Sequence, residues 1–192
     1  MAITLSPVRA FGVLALVLAG CASTTASLTA PQELTAADGS KQVSSATAAL
    51  VCGQPRCPQL TARWSSLRAG VAMLTIGVPY QTSTITRAEF HFGSNQVIRL
   101  MLPSAEQPAP GNDPATTFDA PLSLIHAMAY SANGWVKVVM ANGAMVQETL
   151  RDGEVKSQAV DAMREFLRAV DTATGKPADE RGSGGGLFDL FK

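Results

Sequence analysis

Residues 85–92 read ITRAEFHF, and this stretch decides the predicted fold. Apolar and charged side chains alternate along it, which is the period of a half-buried β-strand. One predicted face carries Ala88, Phe90 and Phe92, and the opposite face carries Arg87, Glu89 and His91. The run Gly93–Asn95 then predicts a turn, and residues 97–102 predict the returning strand of an antiparallel hairpin.

Several further segments predict strands on either side of this hairpin. Residues 60–65 alternate in the same way, and residues 71–78 are almost continuously apolar, as in a central strand. Residues 116–118 predict a short strand. Residues 135–140 and 144–150 flank Asn142-Gly143, a pair that tolerates the positive φ angles of a type I′ hairpin turn.

Two segments predict helices. Leu122–Ala129 has apolar residues at helical spacing, with Asp119 as the expected capping residue and Gly134 as the expected break. A longer helix near the C-terminus buries one face, and Gly175 ends it; that face consists of Ala159, Met163, Phe166, Leu167 and Val170. This order lacks βαβ alternation. It predicts an α+β fold, in which an antiparallel β-sheet has a short helix and a longer C-terminal helix packed on one face.

The N-terminus carries an apolar run over residues 10–19, preceded by Arg9. The run is too short to cross a bilayer, which takes about 20 residues, but it is typical of a secretory signal. It ends in Leu18-Ala19-Gly20-Cys21, which resembles the lipobox of bacterial lipoproteins. The resemblance implies a signal peptide over residues 1–20 and lipid attachment at Cys21. Because Ala22 rather than aspartate follows the cysteine, it also implies anchoring in the outer membrane, facing the periplasm.

The remaining chain is predicted to have three parts. Residues 21–45 are rich in Ala, Ser and Thr and are predicted to be a lipidated flexible tether. Residues 46–175 are predicted to form a single globular domain, and residues 176–192 a glycine-rich flexible tail. The tail ends in an apolar motif made of Leu187, Phe188, Leu190 and Phe191. This motif either rests on a nearby surface, docks in a partner's groove or dips into the lipid interface.

Two cysteines follow Cys21, namely Cys52 and Cys57. Cys-Gly-Gln-Pro-Arg-Cys contains a Gly and a Pro that can turn the chain, and an exported protein is in an oxidising compartment, so we expect a disulfide. A redox-active pair and half of a metal site are the alternatives. The usual redox spacing has two intervening residues, and no second Cys or His pair would complete a zinc site.

Composition argues against several classes of function. The net charge is zero and no block of like charge occurs, which argues against nucleic acid as a partner. No zinc-protease motif, calcium loop or phosphate-binding glycine loop is present. The two histidines, His91 and His126, have no recognisable serine or cysteine nucleophile to activate. The sequence therefore predicts no catalytic, metal or cofactor residues and no enzyme activity.

Three functional hypotheses follow from the sequence. The first is a non-catalytic binding or assembly module that contacts another envelope protein through Arg87, Glu89 and His91 or through the terminal apolar motif. The second is a carrier of an apolar or lipid ligand, held between the helices and the side of the sheet that carries Trp64, Phe90 and Trp135. Its basis is the low charge and the abundant methionines. The third is a hydrolase using carboxylates that cannot be paired from sequence.

Overall fold

The computed structural model describes residues 29–53, 56–102 and 115–176, which form β-strands and two α-helices. The first sheet consists of β1 (Gln32–Thr35), β2 (Lys41–Ser44), β3 (Ala48–Ala49), β4 (Gln59–Ser65), β5 (Val71–Gly77) and β8 (Ala115–Pro121). The second sheet consists of β6 (Ile85–Phe92), β7 (Gln96–Met101), β9 (Asn133–Met140), β10 (Met145–Asp152) and β11 (Val155–Lys156). The helices are α1 (Leu122–Tyr130) and α2 (Gln158–Ala173).

The α+β class and the antiparallel pairing are confirmed, but the strands form two sheets where the sequence predicted one. The first sheet has the order β1-β2-β4-β5-β8, with β3 paired to β4, and the second has the order β11-β10-β9-β6-β7. The chain passes from the first sheet to the second between β5 and β6, which are consecutive but do not pair, and it returns to the first sheet for β8. Alternation shows which side of a strand is buried, and it does not show which strand lies alongside.

Both sheets contribute to one hydrophobic core. Leu60 and Leu74 of the first sheet and Phe90 and Val138 of the second are fully buried in the same cluster, together with Phe166 of α2. Burying an aliphatic or aromatic side chain of this size contributes about 1.5–3 kcal/mol relative to leaving it exposed. The folded unit therefore depends on the inward faces of both sheets at once.

Hydrogen bonds join the two sheets at two places. The hydroxyl of Thr116 in β8 donates to the carbonyl of Ile85 in β6 over 3.2 Å. The backbone N–H of Val51 donates to the carbonyl of Thr149 in β10 over 3.0 Å. Thr116 is buried, so its hydroxyl would lack water as an alternative partner.

The two helices pack against each other and against strands of the sheets. α2 contacts β2, β3, β4 and β10, and α1 contacts α2, β5 and β8. The Nε of Arg164 donates to the carbonyl of Ala129 over 2.7 Å, so it satisfies a carbonyl in the last turn of α1. No helix in the described ranges is both long and apolar enough to cross a membrane.

The predicted tether over residues 21–45 is wrong for its second half, because β1 and β2 belong to the first sheet. Residues 42–44 pair with β4, and Val43 is only 1% exposed. These short strands contain few apolar residues, and a single buried valine gives no visible alternation. Residues 21–28 and Cys21 itself lie outside the described part of the chain.

Two sequence predictions about α1 also need correction. Asp119 does not cap the helix, because β8 continues to Pro121 and that proline occupies the N-cap position. Gly134 does not end the helix, which stops at Tyr130. Gly134 instead lies in β9, where an added Cβ would come within 2.9 Å of the ring of Phe92. This glycine is needed for the close approach of an aromatic ring, not for a break.

The hairpin at Asn142-Gly143 is confirmed, but its turn is not type I′. Gly143 has φ +83°, whereas Asn142 does not adopt a positive φ. The N–H of Gly143 bonds the carbonyl of Met140, and the N–H of Met140 bonds the carbonyl of Ala144. This is the three-residue hairpin connection in which one left-handed glycine follows an ordinary turn.

The predicted disulfide between Cys52 and Cys57 is confirmed, with a Cα–Cα distance of 5.5 Å. It closes the connection between β3 and β4, where the N–H of Leu50 also bonds the carbonyl of Pro58. The predicted end of the long helix is confirmed too, since Gly175 has φ +74° and the N–H of Lys176 bonds the carbonyl of Asp171.

Candidate functional site

The outer face of the second sheet is the candidate site, and strand register arranges its side chains in rows. Residues directly opposite each other on β7, β6, β9 and β10 point to the same side of the sheet. The middle row consists of Arg99, Glu89, Lys137 and Gln147. The row on one side consists of Val97, His91, Trp135 and Thr149, and the row on the other side consists of Met101, Arg87, Val139 and Met145. We call these twelve residues the outer face.

Glu89 lies at the centre of the outer face, among positive charges. Its Oε1 is 3.3 Å from the Nε of Arg87 and 3.4 Å from the Nε of Arg99, and its Oε2 is 3.9 Å from the Nε2 of His91. Lys137 lies directly opposite Glu89 on the neighbouring strand, β9. The Glu89 side chain is only 13% exposed, so these charges interact with less screening than a fully exposed pair would.

The imidazole of His91 stacks on the indole of Trp135. The ring centroids are 3.6 Å apart and the planes are within 7° of parallel. The Nε2 of His91 is shielded from solvent and has no hydrogen-bond partner among the described residues, and the same is true of the Nε of Arg87. The Nε of Arg87 therefore interacts with Glu89 as an ion pair without a directional hydrogen bond, and the Nε2 of His91 lies beyond hydrogen-bond distance of the Glu89 carboxylate.

Apolar side chains stand at the margins of the outer face. Met101 is 66% exposed, Met145 60% and Val97 40%. They lie on both flanks of the charged middle row. Exposed methionines are adaptable contact groups, because the side chain is unbranched and polarisable. This face can therefore offer both charge and apolar area to a partner.

The structure brings together the three strand residues singled out by sequence. Arg87, Glu89 and His91 lie side by side on β6, as predicted. Leu187, Phe188, Leu190 and Phe191 lie outside the described residues. That either group of residues contacts a partner stays a prediction.

Sequence reasoning missed Arg99, Lys137 and Trp135, which complete the cluster. The predicted hairpin could have located Arg99, because the turn fixes the register of its two strands. With Phe92 paired to Gln96, counting back along both strands places Arg99 opposite Glu89. Nothing local could have found Lys137 and Trp135, because β9 follows β7 only after β8 and α1 have intervened.

Trp64, Phe90 and Trp135 do not share one side of a sheet, contrary to the prediction for a carrier. Trp64 and Phe90 are at most 2% exposed and belong to the core. Trp135 is on the outer face of the second sheet, opposite His91. The methionines divide similarly, since Met128 and Met163 are buried and Met145 is exposed.

A second polar feature lies on the outer side of the first sheet. The guanidinium of Arg68 donates two hydrogen bonds to the carboxylate of Asp119, over 3.0 and 2.6 Å. Mainly through these hydrogen bonds, Arg68 holds the pKa of Asp119 below its ordinary value. The side chains are 54% and 61% exposed, so solvent weakens this pair.

Metal binding finds no support in this part of the chain. Within residues 29–53, 56–102 and 115–176, no group of three or more His, Cys, Asp or Glu side chains is arranged to hold an ion. Glu89 is surrounded by cations, which compete with a metal for its oxygens. The outer face thus has one carboxylate among cations.

Comparison with known proteins adds no family assignment. The chain matches no family model, and it shows no significant similarity to a curated protein or to a solved structure.

Proposed function

We propose that the protein is a lipid-anchored, non-catalytic binding module of the bacterial cell envelope, and that the outer face of the second sheet is its contact surface. The observation that carries the proposal is the central cluster, in which one carboxylate lies among Arg87, Arg99 and Lys137. The partner is an envelope protein that presents acidic side chains next to apolar ones.

The charge of the outer face supports an acidic partner. Three permanent cations face one carboxylate, so Glu89 neutralises only part of the positive charge. Glu89 also holds the guanidinium groups in place, which reduces the conformational entropy that they lose on binding. Arg99 is 63% exposed and is the cation best placed to meet an incoming carboxylate.

The side chains around this cluster are of the types that dominate binding energy. Tryptophan and arginine are enriched among the residues whose removal weakens protein interfaces most. Trp135 is fixed by its stack with His91, and Met101 and Met145 add adaptable apolar area at the margins. A contact of this kind needs no reacting group, which is why we favour binding over catalysis.

The test is a cross-linking pull-down from intact envelopes. The variant Arg99→Glu with Lys137→Glu should lose a partner that the wild-type protein captures, because the face then repels acidic side chains. The matched control is Arg168→Glu, which reverses an exposed cation on α2 whose only described ion-pair partner is Glu165. Equal capture by all three proteins would refute the assignment of this face.

The lipid anchor needs its own measurement. Mass spectrometry of the protein from membranes should find an acylated Cys21 at the N-terminus, and Cys21→Ser should release the protein from the membrane fraction. Two or three acyl chains hold a protein far more firmly than one, at about 0.8 kcal/mol per buried methylene. A chain that begins at Met1 and carries no acyl group would refute this part of the proposal.

A further inference from the structure

An open groove of about 490 Å³ crosses the first sheet near its free edge. It is lined by residues of β1, β2, β4 and β5, namely Gln32, Leu34, Gln42, Val43, Ser44, Arg63, Trp64, Ser65 and Met73, of which Val43 and Trp64 have side chains buried in the core. Leu34 is 64% exposed and Met73 38%, so the groove offers apolar contact area to solvent. Arg63 is its only charged side chain.

The edge of the sheet beside this groove is uncovered within the described part of the chain. β1 pairs only with β2, and all four of its side chains are exposed. An open edge strand next to exposed apolar groups tends to associate with another segment. Arg63, moreover, has no ion-pair partner among the described residues.

We propose that this groove holds the C-terminal segment of the same chain, Leu187-Phe188-Asp189-Leu190-Phe191-Lys192. The segment has four apolar side chains around one acidic side chain, Asp189, and its one basic side chain, Lys192, lies three residues further on. The groove has two exposed apolar side chains, Leu34 and Met73, and a single cation, Arg63. Asp189 pairs with Arg63, and Phe188 and Leu190 cover Leu34 and Met73.

The end of α2 lies close enough to the groove for this contact. The Nζ of Lys41 donates to the carbonyl of Ala173 over 2.8 Å, so the last turn of α2 is held against the start of β2. Lys41 directly precedes Gln42, which lines the groove. The chain therefore leaves α2 beside the strand that borders the groove.

The intervening sequence is long enough. Ten residues separate Lys176 from Leu187, and a chain of that length has a root-mean-square span of about 17 Å and reaches at most about 35 Å when extended. Strands lie about 4.8 Å apart, so the path from β2 out to the edge at β1, and back to β5 on the other face, crosses four strand spacings, or about 19 Å. The segment can pass round the edge of the sheet at β1 and reach the groove on the other side. Docking in this way would cover the open edge without a second protein.

Photo-cross-linking in the full-length, detergent-solubilised protein tests the proposal. A benzophenone amino acid in place of Phe188 should form cross-links within one chain, to peptides that contain Leu34 or Met73. Arg63→Glu should lower the yield about fivefold, because it turns an attraction into a repulsion. Adding Asp189→Arg to Arg63→Glu should restore it. Arg56→Glu, which reverses an exposed cation outside the groove lining, should leave the yield unchanged.

A second measurement does not depend on the probe. In the variant Phe188→Ser with Phe191→Ser, the backbone amides of Gln32–Thr35 should exchange with deuterium faster than in the wild-type protein, while those of β9 should not change. Cross-links between two chains, to detergent or to other surfaces would overturn the proposal. So would an Arg63→Glu yield equal to wild type, or unchanged exchange in β1.

Discussion

His91 lies flat against Trp135, with ring centroids 3.6 Å apart, because the two residues are directly opposite on β6 and β9. Stacked aromatic pairs of this kind contribute about 0.5–1.5 kcal/mol beyond the area that they bury. The stack holds the indole at a fixed angle beside Glu89 and its cations. It therefore links the stability of the second sheet to the shape of the proposed contact surface.

We expect a double-mutant cycle to measure this contact. His91→Ala and Trp135→Ala should each lower the free energy of unfolding, and the coupling between them should be about 0.5–1.5 kcal/mol in urea titrations followed by circular dichroism. The control cycle pairs Trp135→Ala with His126→Ala, an exposed histidine on α1. Those two changes should add to within about 0.5 kcal/mol. A coupling near zero between His91 and Trp135 would contradict the stack.

Gly134→Ala should destabilise the protein by about 1–3 kcal/mol, because the new methyl group must displace a packed ring. Its Cβ would lie 2.9 Å from the Cδ1 of Phe92. Gly77→Ala is the matched control, since it also lies in a strand but would meet Ala115 at an ordinary 3.8 Å. Thermal or urea unfolding of both variants checks the difference, and equal losses would mean that the Phe92 ring moves aside freely.

Removing the disulfide with Cys52→Ala and Cys57→Ala should cost about 2 kcal/mol, as expected for closing so short a loop. The loss should appear as a lower urea midpoint without a change in slope. A reducing agent should lower the midpoint of the wild-type protein by a similar amount and leave the variant unaffected. If the reducing agent lowered the urea midpoints of the wild-type protein and the variant equally, the change would not be due to the Cys52–Cys57 disulfide.

The stability of the protein should fall at acidic pH, partly through Asp119. Arg68 lowers the pKa of Asp119 in the folded state, so the folded carboxyl binds a proton less tightly than the unfolded one. The stabilisation is fully present above the unfolded-state pKa of about 3.9 and is lost as the pH falls through the lower folded value. Its size is small, because both side chains are more than half exposed.

The variant Asp119→Asn isolates this contribution. As the pH is lowered from 6, the urea midpoint should fall less steeply for the variant than for the wild-type protein. The midpoint of the variant should still depend on pH, because hydrogen bonding to Ser40 lowers the pKa of Asp38 as well. Added salt should reduce the difference between the two proteins. Parallel pH profiles would show that the ion pair contributes nothing measurable.

Much of the local structure could be predicted from the residues alone. The strand at residues 85–92 and its turn have the predicted boundaries, and the returning strand, predicted over residues 97–102, spans Gln96–Met101. Of the predicted buried face of the long C-terminal helix, Ala159, Met163, Phe166 and Val170 are buried and Leu167 is partly buried. These predictions succeed because hydrophobic periodicity is a local property, set by the geometry of one helix or strand.

The predictions fail where a contact with a residue far away in the sequence determines the local structure. Asp119 is a good capping residue by type, yet its carboxylate is held by Arg68 while β8 continues past it. Gly134 is a helix breaker by type, yet it lies in a strand under the ring of Phe92. In both positions a distant side chain outweighs the intrinsic preference of the residue.

The sequence by itself determined the class of fold, the paired cysteines and the charged face of β6. Each of these follows from residues that are close together in the chain. Only the tertiary structure decided that the strands divide into two sheets, that Arg99 and Lys137 flank Glu89, and that Trp135 stacks on His91. Which strand lies beside which depends on the packing of one shared core, and that packing is a property of the whole chain.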